Sequence, residues 1–325
     1  MSFLTGKTAL ITGAGRAVLS DGRCGSIGYG IATAYAREGA NLTITGRNMQ
    51  KLEATKAELE EKYGVRVLAL QADVCAGADN ESVVSEVVRR TVEEFGGIQV
   101  LINNAQASAS GVPLAEHTTE QLNLTLYSGL YATFYYMKAC YPHLAKSHGS
   151  VINFASGAGL FGNAGQCAYA AAKEGIRGLS RVAATEWGKD GVNVNVVCPL
   201  AWTAQLEKFQ TAYPEAFAAN VKMPPMGHFG DAEAEIGRVC VQLASPDFKY
   251  MSGETLTLGG GMGVGPEKEK IWPSIRAPRG SPRACGGRWF SFFSPALPVA
   301  QALEALHHVA AAAAEAVVQG DVFAV

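Results

Sequence analysis

Lys7-Thr8-Ala9-Leu10-Ile11-Thr12-Gly13-Ala14-Gly15-Arg16, followed beyond Ala17 to Cys24 by Gly25-Ser26-Ile27-Gly28-Tyr29-Gly30, is the stretch on which the fold turns. An apolar run of strand length breaks into glycines, and a helical pattern then runs from Ile27 to Glu38. Glycine suits that junction because the chain must turn sharply and bring backbone N–H groups close to a pyrophosphate at a helix N-terminus. This makes Gly13, Ser26 and Ile27 candidate cofactor contacts. A glycine cluster alone is a weak signal; its place after a first strand and before an amphipathic helix strengthens it. The segment Ala17 to Cys24 is longer than a dinucleotide loop ordinarily needs. Its polar centre, Ser20, Asp21, Gly22 and Arg23, predicts an outward bulge.

Outward from that stretch the alternation of strand and helix continues. β-type runs occupy Lys7 to Thr12, Asn41 to Thr45, Arg66 to Gln71, Ile98 to Asn103, Ser150 to Ala155, Val192 to Cys198 and Thr255 to Leu258. Between them, Ile27 to Glu38, Met49 to Tyr63, Ser82 to Phe95, Gln121 to Leu144 and Ala168 to Trp187 carry helical apolar stripes, with Asp79 placed to cap one of them. Runs such as Val151-Ile152-Asn153-Phe154 are nearly continuous in apolar residues, as strands covered on both faces require. The expectation is an α/β fold: a doubly wound, seven-stranded parallel sheet of Rossmann type with helices on both faces.

This pattern defines one domain over residues 1–265. Residues 266–325 read as a C-terminal extension. Pro266, Pro273, Pro278 and Pro282, interleaved with Arg276, Arg279, Arg283 and Arg288, suit a flexible connector better than a packed core. The alanine-rich stretch from Pro298 to Val318 is a candidate helix, serving either as an oligomer or partner contact or as a tail without catalytic role.

Composition narrows the function. A net charge of -2 offers no field to gather nucleic acid or anionic membrane, so neither is an expected partner. The seven cysteines are dispersed without a CxxC pair, and the six histidines lack partners at ligand spacing, which argues against disulfides and a metal site. No stretch approaches a membrane span and the N-terminus has no small-residue cleavage site, so a cytoplasmic protein acting on a small molecule is expected.

The chemistry gathers at the strand ends. The second run ends at Thr45-Gly46-Arg47, where an acidic residue would grip the ribose hydroxyls of NAD. Arg47 suits the extra phosphate of NADP instead, with Arg16 as a second cation. Asp73-Val74 closes the third run, where a carboxylate can meet the adenine amino group. Asn103-Asn104-Ala105 closes the fourth, with amides for the sheet edge and the ribose. Ser156 follows the fifth, and Tyr169 and Lys173 stand at i and i+4 on one helix face. A phenol is a poor base at neutral pH, and a neighbouring ammonium is expected to lower its pKa. Tyr169 would then exchange the substrate's hydroxyl proton, Lys173 would hold the nicotinamide ribose and Ser156 the substrate oxygen. After the sixth run, Trp202, Leu206, Phe209, Tyr213 and Phe217 form a stripe that either covers an apolar substrate or packs as core.

These residues resemble the short-chain dehydrogenase/reductase superfamily over residues 1 to about 265, through Thr12-Gly13, Asn103-Asn104-Ala105, Ser156, Tyr169 with Lys173, and Pro199 to Thr203. Ser26 to Ala32, Asn103 to Gly111, Tyr127 to Phe134, Asn153 to Gly162 and Gly237 to Gln242 are similar, more narrowly, to bacterial NADP-dependent 12α-hydroxysteroid dehydrogenases. The resemblance implies reversible oxidation of the 12α-hydroxyl of cholate-type bile acids by a homotetramer. It also implies catalytic Ser156, Tyr169 and Lys173, with Arg47, Asp73, Val74, Asn103, Trp202 and Thr203 among the cofactor contacts. Composition and spacing alone reach an NADP-linked alcohol/ketone oxidoreductase, with a general ketone or 3-oxoacyl reductase as the alternative. Three positions depart from the pattern. Gly129, beside Ser128, stands where the superfamily often has a fourth-helix asparagine that anchors a water on the lysine, so the proton relay must differ. Gln106 and Leu200 each replace a glycine near the substrate entrance, where they either shape a steroid pocket or simply pack.

Overall fold

The computed structural model describes residues 2–75 and 80–262. The Asp79 cap and the extension expected over 266–325 lie outside the described residues. Seven strands, β1 (Thr8–Thr12), β2 (Asn41–Gly46), β3 (Val67–Gln71), β4 (Val100–Asn103), β5 (Ser150–Phe154), β6 (Asn193–Pro199) and β7 (Thr255–Leu258), form one parallel sheet in the order β3-β2-β1-β4-β5-β6-β7. Each lies where its run was expected, with ends displaced by a residue or two. β1 and β5 are buried at every position, because helices cover both faces of the sheet.

The helices are α1 (Ile27–Arg37), α2 (Met49–Tyr63), α3 (Asn80–Phe95), α4 (Thr119–Leu126), α5 (Ala132–Ser147), α6 (Gly157–Phe161), α7 (Cys167–Trp187), α8 (Ala204–Ala212), α9 (Pro214–Asn220) and α10 (Arg238–Leu243). On one face Ile31, Tyr35 and Val241 pack with Leu42 and Ile44; on the other Val84, Tyr136 and Ala183 pack with Leu10 and Leu101. The single helix expected over Gln121 to Leu144 is instead interrupted. Thr118 and Gln121 form a reciprocal cap that starts α4 early, and a π-turn over Tyr127–Tyr131 separates α4 from α5. A second π-turn, Ala232–Gly237, precedes α10 and packs on α1, where Gly30 brings the backbones too close for any side chain.

Buried polar contacts fix the strand ends. Thr12 Oγ1 accepts from the backbone N–H of Asn104 and of Ala105, both at 3.0 Å, and Asn104 Nδ2 donates to the carbonyl of Thr12 at 3.0 Å. These bonds join β1 to β4 at the point where the strand order reverses, which in open α/β sheets is where a ligand crevice forms. One strand further on, Asn103 Nδ2 donates to Asn153 Oδ1 and Asn153 Nδ2 to Ser180 Oγ, each at 2.8 Å, tying α7 to the centre of the sheet.

At the first strand–helix junction Gly13 takes φ +72° and a Cβ on Gly28 would stand 2.1 Å from the Gly13 carbonyl oxygen. Gly28→Ala is therefore expected to push α1 off β1, costing about 1–3 kcal/mol in denaturant melts. A variant as stable as the wild type would show that the junction tolerates a side chain.

Candidate functional site

A cavity of about 270 Å³ opens at the carboxyl ends of β1 and β4. Gly13, Arg16, Ser26, Ile27, Arg47, Val74 and Thr203 line it, as expected of cofactor contacts. Ser26 is the N-cap of α1, yet its hydroxyl donates to the Gly15 carbonyl at 3.3 Å and does not cap the helix. The first N–H groups of α1 are thus left for an anion. The segment Ala17 to Cys24 does bulge outward, as a tight hairpin. Val18 bridges Cys24, the Leu19 N–H donates to the Arg23 carbonyl at 3.0 Å, and Gly22 turns with φ +88°. Ser20 donates through its hydroxyl (2.7 Å) and backbone N–H (3.0 Å) to Glu207 on α8, and the Ala204 N–H donates to the Gly25 carbonyl at 2.8 Å.

At the outer end of the cavity, Nη2 of Arg47 is buried with no hydrogen-bond partner among the described residues. Arg16 is differently placed: its Nε donates to Glu58 at 2.7 Å, and Glu58 also accepts from the Tyr29 hydroxyl at 2.6 Å. The Glu58 hydrogen bond raises the Arg16 pKa and anchors a guanidinium that lines the cavity but already has an anionic partner. Three expected contacts lie outside the cavity wall. Asp73 is exposed and accepts from the Cys75 N–H at 2.9 Å, so it closes its own turn. Asn103 turns inward to Asn153, and Asn104 lines the cavity in its place. Trp202 packs against Phe217 and Phe229 at ring distances of 6.0 and 5.6 Å.

That aromatic packing accounts for the stripe after β6. Leu206, Phe217 and Phe229 form a small core with Trp202 and Phe209, so the stripe holds α8 and α9 together. The opposite face of α8 closes on the cavity through Ala204, Gln205 and Lys208. Sequence reasoning missed Gln205 and Lys208, although their position on the polar side of an amphipathic helix was a usable signal.

Ser156, Tyr169 and Lys173 come together beyond the cavity wall, at the end of β5. They are 4%, 5% and 3% exposed respectively, so the group is dry. Ser156 is the N-cap of α6 and its hydroxyl accepts from the Ala158 N–H at 3.2 Å. Tyr169 and Lys173 share one face of α7, with Lys173 Nζ 5.4 Å from the phenol ring centroid. That ammonium donates to the Phe154 carbonyl at 2.8 Å, its one hydrogen-bond acceptor among the described residues. Burial drives the Lys173 pKa down to about 7 and pushes the Tyr169 phenol up to about 12, while a hydrogen bond with Ser156 pulls the phenol partly back. The expected lowering of the tyrosine by the lysine is not what this arrangement gives. The ammonium is engaged with Phe154, and loss of water outweighs the remaining attraction.

Comparison with known proteins places the chain in a family with this fold. A family described as enoyl-(acyl carrier protein) reductase matches residues 22–263. A 12α-hydroxysteroid dehydrogenase of Clostridium sp. is 66% identical over 266 residues, covering 82% of this chain and 100% of that protein. A 3-oxoacyl-[acyl-carrier-protein] reductase of Staphylococcus epidermidis is 30% identical, covering 79% of this chain and 98% of that one. The crystal structure of a short-chain dehydrogenase/reductase from Burkholderia xenovorans superposes with a TM-score of 0.72 at 29% identity, covering 81% of this chain and 98% of that one.

The lysine gives a pH test. Its ordinary pKa is 10.5 and its folded value about 7. Between those values the unfolded chain binds a proton that the folded chain does not. The stability contributed by this group therefore rises with pH across that window, and its cost is constant below it. Lys173→Met should remove the effect: its stability advantage over the cofactor-free wild type should shrink from about pH 7 to about pH 9, by roughly 1 kcal/mol per pH unit. An advantage independent of pH in denaturant melts would mean that Lys173 stays charged throughout.

Proposed function

Because the chain belongs to the short-chain dehydrogenase/reductase family, we propose that it is an NADP-dependent hydroxysteroid dehydrogenase that interconverts the 12α-hydroxyl of cholate-type bile acids and the 12-oxo group. The observation that carries the substrate is the 66% identity extending over the full length of a 12α-hydroxysteroid dehydrogenase. It outweighs the 30% shared with an acyl-carrier-protein reductase. The reading includes a cytoplasmic homotetramer, and the same kinship supports a small-molecule substrate.

The residues fit a nicotinamide dinucleotide with an extra phosphate. Among the described residues, Arg47 offers a buried, unpartnered Nη2, the start of α1 offers free N–H groups, and Lys173 has ammonium protons beyond the one given to Phe154. When bound, the cofactor supplies the donor and acceptor of hydride. Lys173 would hold its ribose hydroxyls, and Arg47 the adenosine phosphate. Ser156 donates a hydrogen bond to the substrate oxygen, and Tyr169 exchanges the proton on that oxygen. With its phenol held near 12 by burial, Tyr169 is protonated at neutral pH and ready to act as the acid in ketone reduction. Alcohol oxidation needs the phenolate and gains as pH rises.

The deciding experiment follows reduced-cofactor absorbance with NADP and bile acids that differ only in the 12α-hydroxyl. Turnover is expected with the hydroxylated acid alone, and its rate should climb from neutral to alkaline pH. Turnover on acetoacetyl thioesters but not on cholate would replace this reading with an acyl reductase. Tyr169→Phe is expected to lose about 10²- to 10⁴-fold in kcat while still binding cofactor. Arg47→Ala should weaken NADP about ten- to a hundredfold and leave NAD nearly unchanged. Equal losses for the two cofactors would remove Arg47 from the phosphate site.

A further inference from the structure

Ser156, Tyr169 and Lys173 are buried, and none of them belongs to the wall of the cofactor cavity. A bulky alcohol therefore reaches the phenol only after some part of the protein moves aside. The path of the chain narrows the choice. Ser156 caps the start of α6 and Tyr169 lies in the first turn of α7, so the link from Gly162 to Gln166 joins the two catalytic elements. A helical side chain leans over the turn that precedes it, which brings the Tyr169 phenol toward the Gln166 end of that link.

The loop that joins β4 to α4 lies against this link. Gln166 is the N-cap of α7, yet its carboxamide does not cap the helix: Oε1 accepts from the Ser110 hydroxyl at 2.9 Å, and Ser110 Oγ stands 3.0 Å from Ser108 Oγ. The Gly111 N–H donates to the Gly165 carbonyl at 2.9 Å, and Val112 pairs with Gln166 as a parallel bridge. Gly111 and Gly165 take φ +83° and +74°, and a Cβ on Gly165 would stand 3.2 Å from Gly111 Cα, so the two backbones meet with no side chain between them. Among the described residues, none of 108–113 or 161–166 belongs to an apolar cluster of the core. Parting the seam exchanges its hydrogen bonds for bonds to water, which is the character of a segment that opens locally. Apolar groups at the seam already stand outside it. Leu114, just past Val112, is 76% exposed, and Phe161, just before Gly162, is 43% exposed with its ring over Gly157 beside Ser156.

We propose that this seam is the substrate gate. The β4–α4 loop and the α6–α7 link part to admit the alcohol or ketone to Tyr169, and the bond between Ser110 and Gln166 latches them shut. Leu114 and Phe161 give a bulky, apolar substrate a surface to enter along. Ser110 and Gln166 act by holding the loops, so they are positioning residues. The inference rests on the dehydrogenase reading of Tyr169.

The test locks the seam. Val112→Cys with Gln166→Cys, in a Cys167→Ser background that removes the neighbouring thiol, sets two thiols across the bridge. Paired strands lie about 5 Å apart, within the span of a disulfide. Oxidised, this variant is expected to bind NADPH as the background protein does in fluorescence titration, because other residues wall the cofactor cavity. Its kcat/KM on cholate should fall about tenfold or more, and dithiothreitol should restore it. Hydrogen exchange followed by mass spectrometry supplies a readout that needs no substrate. Peptides spanning 108–113 and 162–166 should exchange far faster than β5 in the wild type. They should exchange about two- to tenfold faster again in Ser110→Ala, and more slowly in the oxidised variant. That arm keeps a failed gate apart from a failed bile-acid assignment. A seam as protected as β5, or full kcat/KM in the oxidised variant, would overturn the proposal. So would a loss that reduction does not relieve, which would make Gln166 a fixed brace for α7.

Discussion

Lys173 places an ammonium where water barely reaches it, with the Phe154 carbonyl at 2.8 Å as its one acceptor among the described residues. Removing a charge from water is costly unless its hydrogen-bonding capacity is met, and one carbonyl meets only part of it. The rest of the site can be understood from that imbalance. The proton affinity of the lysine falls to near neutrality, and the phenol beside it rises because the same dryness disfavours a phenolate. A ligand that brings hydroxyl groups to the spare protons would relieve the imbalance, so binding and the ionisation of Lys173 become linked.

The sheet makes this placement possible. A lysine on an isolated helix would extend into solvent. α7 is held down by the buried run from Asn103 through Asn153 to Ser180, which lies two turns along the helix from Lys173. Asn153 is engaged through both its oxygen and its nitrogen, so these contacts add directional constraint, while Asn103 Oδ1 is buried without a partner among the described residues. The Thr12 hydroxyl plays the corresponding part between β1 and β4. Together these bonds keep the carboxyl ends of β1, β4 and β5 in fixed relation, and the site residues stand at those ends.

Much of this was legible in the sequence because it depends on local period and on residue type. The strand–helix alternation, the glycines before α1, Arg47 after β2 and the i, i+4 pair on α7 are all short-range features. What escaped depends on contacts between distant parts of the chain. The pairing of Arg16 with Glu58, the inward turn of Asn103 and the withdrawal of Trp202 into an aromatic cluster each require a partner that no local pattern identifies. The π-turn is a similar case. Gln121 to Leu144 reads as one helix because its apolar spacing tolerates the extra residue, and the amide that lies against Gly129 comes from the end of β4. Gln106 and Gly129 look like unrelated departures until the fold brings them into contact.

The two ends of the site are built to different standards of dryness, and this follows from what each must do. At the cavity beside β1 the hairpin and α8 meet through Ser20 and Glu207, an exposed contact that water can replace at little cost. The backbone bond from Ala204 to Gly25 ties the start of α8 more firmly. A large charged ligand can therefore enter or leave by parting groups that solvate readily. At the end of β5 Tyr169, Lys173 and Ser156 are sealed, which strengthens their electrostatic coupling and keeps bulk water from them. An enzyme that must trade a bulky dinucleotide at every turnover while governing one proton is served by this asymmetry. The apolar side of α8 packs on Trp202, on Phe217 of α9 and on Phe229, so α8 and α9 form one cluster beside the cavity whose polar wall is Gln205 and Lys208.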